Sequence, residues 1–505
     1  MIRAEWTKLR TVRGWVGAIV AGLLLIVALA IAPGAGGTCD ESCRLPTGPE
    51  GQEVTDAFRF VHRTLTGDGS ITARITSFTG EKFAGPGTND PELVPWSKAG
   101  LIVKDGAKQG TSYAAVMLTG AHGVRMQYDY VHDVAGPAGR RTPQWLRLTR
   151  DGNTVTTAAS ADGSRWTTVG SATLDLPSAV EVGLFATSPQ FAEVSSEVFG
   201  LTGAEGGPST ATAVFDDVRI DGTSAAAWKT QQVGGPSGTP EVIGTDADSA
   251  DTQRPGPPQP ASSSRAENGV YTLTGNGDIA PAVSGANGLG FSVTQTLAGT
   301  FFGLILFVVV GAMFVTAEYR RGMLGVTLAA TPRRGRVLAA KAVVIGGVAA
   351  VAGAVAAAIA IPVGSGAMRG NGLYINAVPT STVVRIVVGT GLLLALCAVL
   401  ALAIGTVLRR GAVALTAVLG LTVLPYLLAM SVLPARIADW VLTVTPAAAF
   451  AAQQSAVEYA FVDNLYVPAA GYFPLPPAAG LAVLLAWTAV AFTAAVVLLR
   501  RRDVR

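Results

Sequence analysis

Two patterns of hydrophobic and polar positions divide the chain. In the first, apolar residues run on almost unbroken over about 14–32, 293–316, 337–363, 384–408, 412–433 and 479–499. A bilayer core about 30 Å thick takes roughly 20 mostly apolar residues to cross as a helix, so these six runs predict six membrane spans. The third is rich in Gly and Ala, the small residues that closely packed membrane helices place at their contacts. The first has a basic flank like that of a secretory leader. Its apolar stretch exceeds the ~7–15 residues of a leader core, and it is read as a retained helix.

The second pattern has a period of two and fills 33–222, between the first two spans. Alternation over 71–78, 113–118, 124–128, 145–150, 154–157, 166–169, 182–187 and 213–220 predicts strands. Asp151-Gly152 and Asp162-Gly163 fall between alternating runs, the strongest short hairpin signal there is. Many short strands without a helix predict an all-β sandwich. From 223 to 290 the composition turns to Gly, Pro and Ser, as in Arg254-Pro-Gly-Pro-Pro-Gln-Pro260, which predicts a linker with one last strand near 269–274. Residues 1–13 then form a separate N-terminal helix and 291–505 the rest of a membrane domain.

Composition sharpens this division. Half the residues are hydrophobic and 14% are charged, where a soluble chain carries about 25%. The net charge of +3 conceals a partition: over 33–293, 28 acidic residues face 18 basic ones, and elsewhere 19 basic residues face 6 acidic ones. The basic residues cluster at alternate span ends: Arg3, Lys8, Arg10 and Arg13, then Arg320 to Lys341, then Arg409 and Arg410, then Arg500 to Arg505. The other loops hold only Arg369 and Arg436, with Arg385 at a span edge. Because Lys and Arg favour the cytoplasmic side, a multi-pass plasma-membrane protein is expected, with both termini inside and 33–290 outside the cell. Charges in this arrangement set orientation, and no nucleic-acid partner is expected.

Candidate chemistry is sparse. There is no Cys-x-x-Cys, His-Glu-x-x-His or Gly-x-Ser-x-Gly, so no catalytic residues are assigned. The absence of any Gly-Lys dipeptide excludes the phosphate-cradling loop of an ATPase from this chain. The spans show no buried acidic residue of the kind that ion-coupled carriers use. His62, His122 and His132 lack metal-ligand spacing, and Asp216-Asp217 reads as a solvated turn rather than a cation site, so no metal is assigned. Cys39 and Cys43, just beyond the first span, are expected to form a small-loop disulfide in an oxidising compartment, while Cys397 reads as a small core residue.

Two basic segments remain. Ile2, Trp6, Leu9 and Val12 fall on one helical face among Lys8 and Arg10, which predicts a helix lying in the membrane interface. In Glu318-Tyr319-Arg320-Arg321-Gly322, Glu318 and Arg321 stand at i, i+3 and are expected to pair on the helix surface. Further on, Thr331-Pro332 suggests a new helix start ahead of Arg333 and Arg334. The segments Glu5-Trp-Thr-Lys-Leu-Arg-Thr11, Glu318 to Gly322 and Leu328-Ala-Ala-Thr-Pro-Arg-Arg334 together closely resemble ABC-2-type ABC transporter permease subunits, particularly actinobacterial ones; 30 Arg against 7 Lys suits that source. The resemblance covers 1–32 and about 291–505. It implies six spans and a second permease copy, with a separate ATPase subunit carrying ATP and Mg²⁺. It places that subunit against Glu318, Tyr319, Arg320, Arg321, Gly322, Thr331, Pro332, Arg333 and Arg334. Members commonly have a short first external loop, and here an insert stands in its place. The stretch from Trp145 to Trp166, with 181–187 and 215–220, resembles concanavalin-like (laminin-G-type) jelly rolls, which often bind glycans and in some cases calcium. The leading reading is an exporter permease. The alternative is a membrane-anchored protein whose sandwich binds or senses cell-wall carbohydrate without transport.

Overall fold

The computed structural model describes residues 1–36, 45–85, 88–138, 142–196, 202–224, 227–234, 262–284, 291–323, 333–431, 433–464 and 466–501. Cys39, Cys43, Thr331 and Pro332 lie outside the described residues.

Nine α-helices build the apolar part, among the described residues: α1 (Ile2–Thr11), α2 (Arg13–Leu29), α3 (Gly299–Arg320), α4 (Arg334–Gly370), α5 (Thr380–Leu408), α6 (Gly411–Thr422), α7 (Leu424–Ser431), α8 (Ala435–Val444) and α9 (Pro477–Arg501). Six helical stretches are long and apolar enough to cross a membrane, with α6 and α7 forming one of them. Pro425 explains the break in that span, since its missing N–H leaves a carbonyl of the preceding turn unpaired. The Gly- and Ala-rich run becomes the longest helix, α4, whose 37 residues extend about 55 Å at 1.5 Å per residue, well beyond a hydrocarbon core.

α5 is the hub. It packs along α3, α4 and α9, and its Leu393, Leu394, Cys397, Ala398, Leu400 and Ala401 are buried. Close approach depends on missing side chains. A Cβ at Gly303 would stand 2.5 Å from Ile26 Cγ1 of α2, and one at Gly311 would stand 2.3 Å from the Ala398 carbonyl oxygen of α5. Between α8 and α9 the chain dips inward as a buried turn over Pro446–Gln453. The Gln453 amide nitrogen there donates to Thr300 Oγ1 (2.9 Å) and Thr390 Oγ1 (3.1 Å), so this buried donor is satisfied.

The insert between α2 and α3 is all β. From one edge the principal strand order is Thr167–Thr173, Thr154–Ser160, Gln144–Asp151, Phe58–Gly85, Ala179–Thr187, Lys98–Lys104, Tyr113–Thr119, Val124–Tyr128 and His132–Ala135. Every neighbouring pair is antiparallel. The 28-residue strand Phe58–Gly85 serves both layers. Its first part pairs with Ala179–Thr187 and Lys229–Val233, and its later part with Gln144–Asp151 and Ser209–Ser224. The main core lies between the layers and includes Leu65, Ile71, Leu101, Leu146, Val182 and Phe215. A second core, with Phe58, Phe60, Ile102, Met117 and Phe185, covers the opposite face of the central strands.

Two expectations change here. Tyr113–Thr119 is buried at every position, because cores lie on both of its faces, so its pattern is a continuous apolar run rather than an alternation. The stretch 223–290 is more than a linker. Lys229–Val233, Ser263–Glu267 and Val270–Gly275 join the large sheet, and Ile279–Pro281 pairs with Val54–Asp56. That last pairing holds the two ends of the insert side by side.

Candidate functional site

The basic clusters all converge on one end of the helix bundle. Arg334 Nη1 donates to the Leu499 carbonyl (2.8 Å), which brings the start of α4 to the end of α9. The Arg409 guanidinium lies 5.3 Å from the Tyr319 ring centre, which brings the end of α5 to the end of α3. The insert sits at the opposite end, where Trp96, Ala280 and Val283 pack with Phe461 and Val462 of the α8–α9 connection. Asn464 Nδ2 donates to the Ser284 carbonyl (3.0 Å), and Asn371 Nδ2 to that of Gly34 (2.7 Å).

At the centre of the basic end is a four-charge cluster, buried except for the partly exposed Lys8. Lys341 Nζ of α4 donates to Glu5 Oε2 of α1 (2.7 Å) and to Glu318 Oε1 of α3 (2.8 Å). Lys8 Nζ, one turn along α1, donates to Glu5 Oε1 (3.0 Å) and to the same Glu318 Oε1 (3.1 Å). Glu5, Glu318 and Lys341 are 4%, 3% and 1% exposed. Two carboxylates face two ammoniums, and the partly exposed Lys8 offsets the charge that Lys341 alone leaves on the buried pair of glutamates. The Phe314 ring, 4.7 Å from Lys341 Nζ, adds a cation–π contact. Burial works against the Lys8 ammonium, but hydrogen bonds and charge from Glu5 and Glu318 outweigh it and hold its pKa above the usual lysine value. The cluster fastens α1, α3 and α4 into one block.

This geometry corrects two expectations. Glu318 pairs with Lys8 and Lys341 rather than with Arg321, because α3 runs on to Arg320 and carries Glu318 on its inward side. A buried acid therefore does sit at the end of a span. The face of α1 is also split: Leu9 is buried in the bundle core and Lys8 is taken into the cluster, while Ile2 and Trp6 stay exposed and Arg10 faces outward. Around the cluster, Arg321, Gly322, Arg333 and Arg336 are exposed, and Arg320, with Tyr319, borders a groove beside α6. Sequence reasoning assigned Glu5 and Lys341 no partners. A signal was present: Lys8 and Lys341 are the two lysines outside 33–293 in an otherwise arginine-only frame.

The buried lysines of the insert are paired within its fold. Lys104 Nζ meets Asp56 Oδ2 (2.8 Å) and Lys98 Nζ meets Asp278 Oδ1 (2.6 Å), clamping both ends of the insert onto one strand. Burial lowers the Lys104 pKa despite Asp56. Both Asp216 carboxylate oxygens are taken by Arg74, at 2.7 and 2.5 Å, so this aspartate is an ion-pair partner rather than a solvated turn residue. His62 Nδ1 is bound to Glu181 (2.5 Å), and His122 stacks on Trp96 with ring centres 4.0 Å apart. No group of three or more His, Cys, Asp or Glu side chains converges as a metal site among the described residues.

Six helical stretches able to cross a membrane, with basic residues gathered at one end and an all-β body at the other, define a multi-pass membrane protein. The chain belongs to the ABC-2 family of transporter proteins, whose profile matches residues 158–504. Among curated protein sequences no relative matches. Similar solved structures include a functionally unknown protein from Saccharomyces cerevisiae (14% identity, 37% of this chain and 86% of that one, TM-score 0.22). Another is SCP-B, an eqolisin-family peptidase in complex with a tripeptide (10% identity, 43% and 98%, TM-score 0.24). A mutant of the GH43 protein BlXynB from Bacillus licheniformis is a third (14% identity, 31% and 28%, TM-score 0.18). Scores this low carry no argument about fold or chemistry.

Proposed function

We propose that this chain is the permease subunit of an ABC exporter, driven by an ATPase subunit that docks on the basic end. The observation that carries the reading is the Glu5–Lys8–Glu318–Lys341 cluster, taken with family membership. A partner pushing on the exposed end of α3 or the start of α4 meets a block that moves as one, so force reaches two spans and the N-terminal helix together. The chain supplies no phosphate-binding loop, and ATP with Mg²⁺ belongs to the partner. On this reading both termini are cytoplasmic and two permease copies enclose the path. The insert is an external, concanavalin-like sandwich positioned to meet glycan or exported substrate.

The test is the double reversal Arg321→Glu/Arg333→Glu, which leaves the buried cluster untouched. Each lost charged contact at a desolvated interface costs about 2–5 kcal/mol. Co-purification of the ATPase subunit and its transport-linked ATP hydrolysis are therefore expected to fall sharply in a normally inserted variant. Unchanged binding and stimulation would remove this end as the coupling surface.

A further inference from the structure

We propose that the groove between α3 and α6 at the basic end binds an acidic membrane phospholipid, with the head-group phosphate among Arg320, Arg409 and Arg410. The groove encloses about 650 Å³ and has an apolar wall formed by Val309, Met313, Ala412 and Leu415. Its mouth carries the three arginines, and among the described residues no carboxylate pairs with any of them. Two features aim this positive charge. Arg409 sits in the left-handed region at φ +59°, ending α5 and turning its guanidinium over Tyr319 towards the groove. Gly411, also in the lining, opens the 12-residue helix α6, whose first-turn N–H groups form its positive end.

The two halves of the lining select the ligand class. A free anion would use the arginines and leave the apolar wall empty, and an uncharged lipid would use the wall and leave three cations unneutralised. An anionic phospholipid satisfies both, and the groove lies where two spans end, at the depth of the head groups. This inference needs no ATPase partner and stands apart from the docking reading.

The test is native mass spectrometry of the full-length protein, released from detergent and titrated with dioleoyl phosphatidylglycerol or dioleoyl phosphatidylcholine. Wild type is expected to prefer phosphatidylglycerol. Arg409→Gln/Arg410→Gln is expected to lose about thirtyfold of that preference, roughly fivefold per arginine. Ala412→Trp fills the exposed wall without touching a charge and is expected to lose phosphatidylglycerol while keeping the fold. Arg369→Gln, at the opposite end, is expected to bind as wild type. Equal binding of both lipids by wild type, or an undiminished preference in both groove variants, overturns the proposal. Displacement by millimolar inorganic phosphate would reassign the site to a free anion. Adducts on single copies but never on paired copies would reassign it to a contact between two chains.

Discussion

At the residue scale, Lys341 carries more of the basic end than any arginine does. Removing it leaves Glu5 and Glu318 buried with only Lys8 between them, and breaking such a cluster costs about 3–5 kcal/mol. Lys341→Ala is therefore expected to free α1, exposing Arg3 and Arg10 to trypsin under conditions where the wild-type helix is protected. The same readout has a defined pH dependence. The Lys8 pKa is raised on folding, so its contribution is present below the unfolded value of about 10.4 and fades as pH rises through the folded one. Protection of α1 should be flat from pH 6 to 9 and fall only in stronger alkali; loss near neutrality would contradict the pairing. Only the Glu5–Lys8 pair, at i, i+3, was legible locally. Glu318 and Arg321 satisfy a helix-surface spacing, but the partners chosen lie 310 and 23 residues away, and burial rather than spacing decided between them.

At the scale of elements, the spans were legible because apolar length alone dictates them, whereas their contacts depend on where side chains are missing. Gly303 lets α2 lie against α3, and valine there would have to enter space held by Ile26 and the Gly22 carbonyl. Gly303→Val is expected to part these helices and cost about 1–3 kcal/mol, as overpacking does. Lowered resistance to unfolding in detergent, together with loss of crosslinking between cysteines placed on α2 and α3, would show it; an unaltered crosslink would show that α2 adjusts. Among the strands, alternation revealed those with one wet face, such as Gln144–Asp151. It passed over Lys98–Lys104, which is buried throughout, with its terminal lysines neutralised by aspartates far along the chain. Beyond 222 only Val270–Gly275 was legible; Lys229–Val233 and Ser263–Glu267 were hidden by Gly- and Pro-rich surroundings, since pairing with distant strands, and not composition, makes them part of the sheet.

At the scale of the molecule, the basic end and the insert lie at opposite ends of the bundle, so topology is open to direct measurement. With the native cysteines replaced, Ser263→Cys is expected to react with an impermeant thiol reagent on intact cells, and Arg336→Cys only after lysis; the reverse would invert the protein. The paired strands Val54–Asp56 and Ile279–Pro281 have a further consequence. The first and last strands of the insert thus lie side by side, with the opposing backbones about 5 Å apart. The body is nonetheless seated on the membrane part, through Trp96, Ala280 and Val283 against Phe461 and Val462. A cut at this one seam would remove the body whole and leave the Phe461 and Val462 face bare, so exchanging it for another requires only that this face be matched.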